Sequence, residues 1–368
     1  MTPHGIRIKG LLWSLRLLRF ALFCIALLPA ADVSWRPALP GYRYQFPRDH
    51  FEHEDFRTEW WYYTGNVTDE GGQRFGFELV FFRQGQNKGS SGNKSAWAVD
   101  DIYLAHAALT DVGGKQFLYD ERLNRRGPGV AGAGHEQQRI WNGNWAAQWN
   151  RGDQTGDQTI DAVTDKFRFH LQLQPEKPFV IQGEKGVSQK AEGRGRASHY
   201  VSFPRLRVSG SISTAGNSHR VQGTAWMDHE WFTEQLSEEQ TGWDWFSVQL
   251  GNRTELMLFQ LRRKDGSIDP FSAGTFVDAQ GQAHHLRKED FTLQPVTRWQ
   301  KYPVEWRLEV PSLHIALMCR AVLQNQELTG KGGGPRYWEG AVDYTGTHTG
   351  VGYLEMTGYQ GPVRSINQ

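Results

Sequence analysis

Runs of alternating apolar and polar residues predict that strands, rather than helices, build most of this chain. Every second position is apolar in three clear runs, 74–81, 167–174 and 304–310. A period of two places one set of side chains on a dry face of a sheet and the other set on a wet face. Strands at short spacing with tight turns indicate an all-β fold of antiparallel barrels or sandwiches. The turn sequences are Asp69–Gly72, Gly113–Gly114, Ala215–Asn217, Asp265–Gly266 and Gln280–Gly281.

Helical periodicity is scarce, and glycine-rich segments interrupt the predicted strands. Residues 233–240 could form one short helical turn. Segments 85–96, 125–134 and 183–198 combine Gly with polar or charged residues. Long loops between barrel strands often lie at the mouth of a cavity, so we expect these segments near a binding site.

The chain of 368 residues is long enough for two domains of about 150 residues each. The sequence EWWYYTG at 59–65 opens one series of strands, and WDWF at 243–246 opens a similar one. We therefore predict a first domain at 42–232 and a second at 233–366.

Composition supports a sheet protein and narrows the function. The 15 Trp, 12 Tyr and 20 Phe residues favour half-buried pleated surfaces, and the 41 Gly residues supply turns and bulges. The net charge of +1 excludes a dedicated nucleic-acid binder, which would carry a strong basic excess.

The first 31 residues resemble a signal peptide. Basic residues at 7–19 precede an uncharged run at 20–28 and small residues at 29–31. That run is shorter than the ~20 residues of a membrane span, so we predict cleavage and a secreted or periplasmic protein, with an uncleaved N-terminal anchor as the alternative. Cleavage would remove Cys24 and leave Cys319 without a disulfide partner, as a buried small hydrophobic residue.

Standard catalytic signatures are absent from the sequence. It contains no nucleophile elbow, no zinc-protease motif and no phosphate-binding loop. Gly127, Gly129 and Gly132 have the spacing of a dinucleotide-binding motif, but two arginines precede them instead of a strand. We therefore predict a flexible loop there and no cofactor.

The segment WMDHEW at 226–231 is the strongest candidate for chemistry. On a strand, Asp228 and Glu230 share one face, while His229 and Trp231 share the other and point into a barrel. Burial among aromatic rings could move the pKa of His229 across neutral pH. His229 is either catalytic or a buried histidine held by a carboxylate.

A second cluster lies in the segment EWWY at 59–62. Glu59 shares a face with Trp61, and Trp60 shares the other face with Tyr62. In a dry cavity Glu59 would have a raised pKa and could donate a proton. Alternatively, it pairs with an arginine such as Arg57 or Arg83.

Further candidates are weaker. Asp244 is placed on the face opposite Trp243 and Trp245, in a catalytic, rim or interdomain role. His106 lies among small residues, as a cavity-lining or an ordinary core histidine. The group His50, His53, Glu54 and Asp55 resembles a metal site, but without Cys and on a loop it is predicted to be a solvated surface patch. We therefore predict no metal site.

These clusters define two sets of candidate residues. The catalytic candidates are His229, Asp228, Glu230, Glu59 and Asp244. The ligand-binding candidates are Trp60, Trp61, Tyr62, His106, Trp226, Trp231, Trp243 and Trp245.

The motifs at 59–65, 106–109, 225–231 and 242–250 resemble the AttH family of predicted secreted hydrolases, which is related to carotenoid 1,2-hydratases. The resemblance extends from about residue 42 to 361. It implies two tandem lipocalin-like antiparallel β-barrels, export, and a neighbouring ABC transporter of the lipoprotein-release type in the inner membrane.

The hydratase branch adds water to a terminal alkene without a cofactor, which requires a strong acid and aromatic faces that stabilise a carbocation. Its His and Trp, two residues apart, match His229 and Trp231. Its Tyr and Asp on a later strand have no counterpart in 251–255, where Glu255, or Asp244 nearby, could substitute.

Three functions follow as expectations. The first is an exported protein that binds an apolar lipid or isoprenoid beside the transporter. The alternative is a cofactor-free hydratase or hydrolase acting on an apolar, carotenoid-like substrate. The third is a structural or interaction protein whose barrels are filled by side chains. The first two would need an apolar cavity, expected at ~300–1,000 Å³ beside His229 and Glu59.

Overall fold

The computed structural model describes residues 34–88, 95, 99–150, 156–330 and 335–361. The predicted signal peptide at 1–31, with Cys24, lies outside the described residues, as does most of the loop predicted at 85–96. Residues 35–361 belong to one compact unit. Within the described residues, no helix has both the length and the apolar character needed to cross a bilayer.

The first sheet follows a 3₁₀ helix at Arg48–His50 and accounts for thirteen strands in the described part of the chain. They are β1 (Thr58–Asp69), β2 (Arg74–Gly85), β3 (Asp101–Asp111), β4 (Gln116–Arg125), β5 (Ala131–Gly134), β6 (Arg139–Asn142), β7 (Trp145–Trp149), β8 (Gln158–Val163), β9 (Phe167–Pro175), β10 (Val180–Ile181), β11 (Ser188–Gln189), β12 (Ala197–Thr214) and β13 (Asn217–Phe232).

The second sheet contains the ten later strands of the described residues. Two further 3₁₀ helices, at Lys288–Asp290 and Pro311–Leu313, lie between these strands in the chain. Its strands are β14 (Gln240–Leu250), β15 (Glu255–Arg263), β16 (Ala273–Val277), β17 (Ala283–Arg287), β18 (Thr292–Trp299), β19 (Tyr302–Val310), β20 (Ile315–Ala321), β21 (Glu327–Leu328), β22 (Tyr337–Gly346) and β23 (Gly350–Met356).

Both sheets are antiparallel and curve into barrel shapes, which confirms the all-β prediction of tandem lipocalin-like barrels. The strand order is β4-β3-β2-β1-β13-β12-β9-β8-β7-β6-β5 in the first sheet and β17-β16-β15-β14-β23-β22-β20-β19-β18 in the second. At the ends of the first sheet, the side-chain amide of Asn124 on β4 donates to Asn142 on β6 across 2.6 Å. The three runs with a period of two became β2, β9 and β19, as predicted.

Apolar side chains fill the interior of each barrel. Trp61, Phe77 and Trp145 are fully buried in the first core, and Trp306 and Trp338 are fully buried in the second. A third apolar cluster lies between the two sheets, where β1, β2 and β13 face β14, β15 and β22. Because the barrels are packed, the space between the sheets is the place to look for a ligand.

The short turn predicted within 233–240 is present at its end, where the N–H of Gln240 donates to the carbonyl of Ser237 across 3.2 Å, but no helix forms there. Residues 235–237 are irregular and lead into a turn at 238–239. Side chains hold this connection in place: the amide of Gln235 donates to Glu230 across 2.7 Å, and Gln240 donates to the carbonyl of Lys190 across 2.7 Å. Such side-chain bonds compete with helix formation.

Cys319 on β20 is fully buried, as predicted, and burial raises the pKa of its thiol. Since the thiolate is the reactive form, we expect a Cys24→Ser protein to react with an aromatic disulfide reagent at least about a hundredfold more slowly when native than in guanidinium. Absorbance of the released thiolate measures both rates. Equal rates would place Cys319 at the surface.

Candidate functional site

A cavity of about 90 Å³ lies between the two sheets. It is smaller than the predicted range because large aromatic side chains fill most of the space. Half of the residues that line it are aromatic, and three carboxyl groups and one lysine lie among them. The lining residues are Trp60, Tyr62, Val80, Phe82, Lys190, Tyr200, Asp228, Glu230, Gln235, Leu236, Trp243, Trp245, Phe259, Leu261, Tyr337 and Glu355.

Strand alternation brings six of the predicted residues to this cavity. Asp228 and Glu230 on β13 share one face, as expected from their spacing. The other four are Trp60 and Tyr62 on β1 and Trp243 and Trp245 on β14.

The prediction that the cavity lies beside His229 and Glu59 is wrong. These residues, together with Trp61 and Trp231, occupy the opposite face of β1 and β13 and are buried within the first barrel. The inward direction predicted for His229 is correct, but the inside of the barrel is packed. The open space lies on the other face of the same two strands.

Glu59 is the centre of a buried hydrogen-bonded network. Its Oε1 lies 2.7 Å from Nδ1 of His53 and 2.8 Å from Nε2 of His229. Its Oε2 accepts the backbone N–H of His53 across 2.8 Å and lies 3.5 Å from Nη1 of Arg83. The proposed pairing of Glu59 with an arginine is therefore present, through Arg83 and not through the exposed Arg57.

The network sets the protonation of its members. Burial alone would raise the pKa of Glu59, but His53 and His229 outweigh it and hold that pKa well below its usual range, which favours a paired carboxylate over a proton donor at this position. Burial lowers the pKa of His229. Burial also acts to lower the pKa of His53, but the carboxylates of Glu59 and Asp49 outweigh it and raise that pKa. The ring of His53 stacks on Trp231 with centroids 3.9 Å apart, so the indole face can stabilise an imidazolium.

The prediction of a solvated surface patch at 50–55 is also wrong in part. His50 and His53 are buried, whereas Glu54 and Asp55 are exposed. His53, Glu59 and His229 each offer one atom that could bind a metal, all within 4.8 Å of one another. Two ligands of a tetrahedral zinc ion lie about 3.3 Å apart, since each bond is about 2.0 Å long. The distances of 2.7 and 2.8 Å fit charge-assisted hydrogen bonds better.

Trp226 and His106 stand behind residues that line the cavity. The indole N–H of Trp226 donates to Asp228 across 2.7 Å. Nδ1 of His106 lies 2.7 Å from the hydroxyl of Tyr337. Both therefore support the wall from outside the cavity.

Asp244 and Glu255 point away from the cavity into ion pairs. Asp244 lies 3.1 Å from the guanidinium of Arg262. Glu255 lies 2.6 Å from Nζ of Lys177 and 2.5 Å from Nε of Arg205. Neither carboxylate substitutes for an acid in the cavity.

Asp228 is a buried carboxyl with three hydrogen-bond donors. The hydroxyls of Tyr200 and Ser202 each lie 2.5 Å from it, and the indole of Trp226 is the third donor. Burial raises the pKa of Asp228 to about 7, although the three donors act in the opposite direction. Donors stabilise the ionised form, so this group can serve as a base near neutral pH.

Glu355, in contrast to Asp228, has few hydrogen-bond donors around its carboxyl group. Its one hydrogen-bond donor among the described residues is the indole N–H of Trp243, at 3.0 Å from Oε2. Burial raises the pKa of Glu355 to about 7, and Glu230 and Asp228 add to the effect. A carboxyl with few donors and acidic neighbours favours the protonated form. Glu355 is therefore suited to donate a proton into the cavity.

Sequence reasoning missed four important residues of this site: Glu355, Lys190, Tyr200 and Phe259. Lys190 lies in segment 183–198, which was expected near a cavity, so a partial signal existed. Glu355 lies in an ordinary strand, β23, and nothing in the local sequence distinguishes it from a solvated carboxylate.

The raised pKa of Glu355 predicts a pH-dependent stability difference. Since its pKa is higher in the folded protein, the native state binds more protons between about pH 4.5 and 7, and stability is lost as pH rises. Glu355→Gln removes this titration but keeps an acceptor for Trp243. We expect the variant to gain about 2.5 kcal/mol relative to the wild type between about pH 5 and 8.

Urea denaturation of the wild type and of Glu355→Gln, at about pH 5 and at about pH 8, measures this difference in the free energy of unfolding. Titration of the groups that do not interact with Glu355 cancels in the comparison of wild type with variant. A difference in free energy that does not change with pH would mean that Glu355 titrates normally.

Comparison with known proteins identifies a family and solved structures to which this chain is similar. The AttH-like family profile matches residues 37–359. An AttH protein of Nitrosomonas europaea has a crystal structure with 33% sequence identity and a TM-score of 0.79, over 88% of this chain and 99% of that one. No curated protein matches.

Two more distant structures share the fold. Kievitone hydratase of Nectria haematococca is 13% identical with a TM-score of 0.65, over 88% of this chain and 97% of that one. CghA, solved with Sch210972, is 14% identical with a TM-score of 0.52, over 82% and 88%. The chain belongs to the AttH-like family.

Proposed function

We propose that this protein is an acid-catalysed hydratase that adds water to an alkene of an apolar substrate without a cofactor. One observation carries the proposal: three carboxyl groups with raised pKa values, Asp228, Glu230 and Glu355, meet in a cavity walled by aromatic rings. The name of the Nectria haematococca protein, a hydratase, agrees with this chemistry.

Glu355 is the proton donor in this proposal. Its carboxyl proton adds to one alkene carbon and leaves a carbocation on the other. Trp243, Trp245 and Phe259 line the cavity, and aromatic π-faces can stabilise such a positive charge. A carboxyl whose pKa lies near the working pH is well suited to this step.

Asp228 is the general base. A water molecule attacks the carbocation through its oxygen, and its proton passes to the Asp228 carboxylate as the C–O bond forms. The hydroxyl of Tyr200 lies 2.5 Å from Asp228 and accepts the indole N–H of Trp245 across 3.1 Å, so it orients the base. Return of the proton from Asp228 to Glu355 completes the cycle.

Incubation with 2-methyl-2-butene, which is small enough for the cavity, or with geraniol in water enriched in oxygen-18 tests the proposal. Hydration adds one labelled water to the alkene, which mass spectrometry detects as a product with heavy oxygen in a tertiary alcohol. Binding of both probes without any labelled product would contradict hydration and support a lipid carrier instead.

A further inference from the structure

Two lysines of the described residues are almost fully buried, with different surroundings. Nζ of Lys177 donates to the backbone carbonyls of Arg253 and Asp278 and to the carboxylate of Glu255, each across 2.6 Å. An ammonium group has three N–H donors, and all three are used here. Lys177 is therefore a structural cation that joins the two sheets.

Lys190 instead extends into the cavity. Its Nζ lies 3.8 Å from the ring centroid of Phe259, 5.2 Å from that of Tyr200 and 3.5 Å from a carboxylate oxygen of Glu230. Only 5% of the residue is exposed. In contrast to Lys177, this nitrogen has, among the described residues, a carboxylate partner only at the longer distance of 3.5 Å.

The surroundings of Lys190 suit an amine that reacts as a nucleophile. Burial lowers the pKa of Lys190, although Glu230 acts in the opposite direction. A desolvated lysine beside an acid is the arrangement that enzymes use for condensation with carbonyl groups. Burial also raises the pKa of Glu230, so this carboxyl can carry a proton 3.5 Å from the nitrogen.

We propose that Lys190 captures an aldehyde or ketone group of an apolar ligand as an imine within the cavity. The lone pair of Nζ attacks the carbonyl carbon, and a C–N bond forms as the carbonyl oxygen takes a proton from Glu230. The carbinolamine then loses that oxygen as water, and a C=N bond forms. The nitrogen loses two protons and the oxygen leaves with two as water, so Glu230 regains the proton it gave and no oxidant or reductant takes part.

This inference uses the cavity named above as the ligand site but does not depend on hydration. It implies that the ligand carries a carbonyl group close to the end that enters the space between the sheets. The aromatic wall would then surround the hydrocarbon part of the ligand.

Reductive trapping tests the inference on the full chain. The protein is incubated with acetaldehyde or hexanal and sodium cyanoborohydride near neutral pH, and peptide mass spectrometry locates the alkylated lysines over time. We expect Lys190 to be alkylated at least about tenfold faster than the buried Lys177 and the exposed Lys264. Acetaldehyde is included because it is small enough for the cavity as it stands.

Lys190→Arg keeps the positive charge and is expected to abolish the fast alkylation, whereas Lys264→Arg, at an exposed position outside the cavity, is expected to leave it unchanged. Alkylation of Lys190 no faster than that of Lys264 with either aldehyde would overturn the inference. Failure of hydration is distinguishable, because acetaldehyde and hexanal contain no alkene: alkylation of Lys190 by them is read separately from oxygen-18 incorporation into an alkene.

Discussion

Glu59→Ala is expected to lower the free energy of unfolding by about 3–5 kcal/mol, the cost of removing one partner from a buried ionic network. The carboxylate of Glu59 is fully buried and bonds His53 and His229 at 2.7 and 2.8 Å. Without it, the guanidinium of Arg83 loses one of its carboxylate partners inside the protein, and two buried imidazoles lose their acceptor. Urea denaturation at neutral pH, followed by tryptophan fluorescence, measures the change.

The matched control is Glu70→Ala, in the turn after β1. Glu70 is exposed, so its removal should change the free energy of unfolding by no more than about 0.5 kcal/mol. A loss below about 1 kcal/mol for Glu59→Ala would show that the network contributes little. In that case the two histidines would be packed mainly by Trp61 and Trp231.

Glu355→Gln is expected to lower kcat for hydration by about 10²–10⁴-fold, the usual contribution of a general acid. The amide cannot donate a proton of comparable acidity, yet it matches the shape of the carboxyl. The wild type should also lose activity above about pH 7, because the pKa of Glu355 is about 7 and only the protonated acid is active. Initial rates of oxygen-18 incorporation measure both effects.

Glu339→Gln provides the control for that experiment. Glu339 lies directly opposite Glu355 on β22, is also fully buried and also has a raised pKa, mainly because of burial. It does not line the cavity, and it accepts the hydroxyl of Tyr62 across 2.6 Å. Equal losses of kcat in the two variants would mean that buried charge, rather than proton donation, explains the effect.

The position of the cavity changes how a lipocalin-like fold is expected to work. A barrel with an open interior would hold a ligand among its inward-facing residues, but both interiors here are packed. The ligand site proposed here lies instead at the junction of two sheets, a common place for binding sites. Acids from β13 and β23 meet there, so the proposed chemistry needs both sheets.

Several features of the structure were predicted from local sequence. Alternation in runs such as 167–174 specified strands, because a period of two occurs where a sheet has two different faces. The same rule correctly grouped Asp228 with Glu230 and Trp243 with Trp245, since side chains two residues apart on a strand share a face. Long Trp-rich motifs also identified the family, and with it the tandem barrels.

Other features were decided only by the tertiary structure. Alternation says which side chains share a face, but both faces of β1 and β13 are buried, and the sequence carries no sign of which one meets open space. That choice depends on how the second sheet packs against the first. His53 joined Glu59, and Lys190 joined Glu230 and Phe259, through contacts between distant segments, and the pKa of each of their ionisable groups follows from those neighbours and from burial.

The sequence by itself therefore determined the strands, the pairing of side chains on each face and the family. The tertiary structure determined where the cavity lies and which of some forty acidic residues become acids within it. The physical reason is that periodicity is a property of one strand, whereas desolvation and charge coupling arise only when several strands enclose the same space.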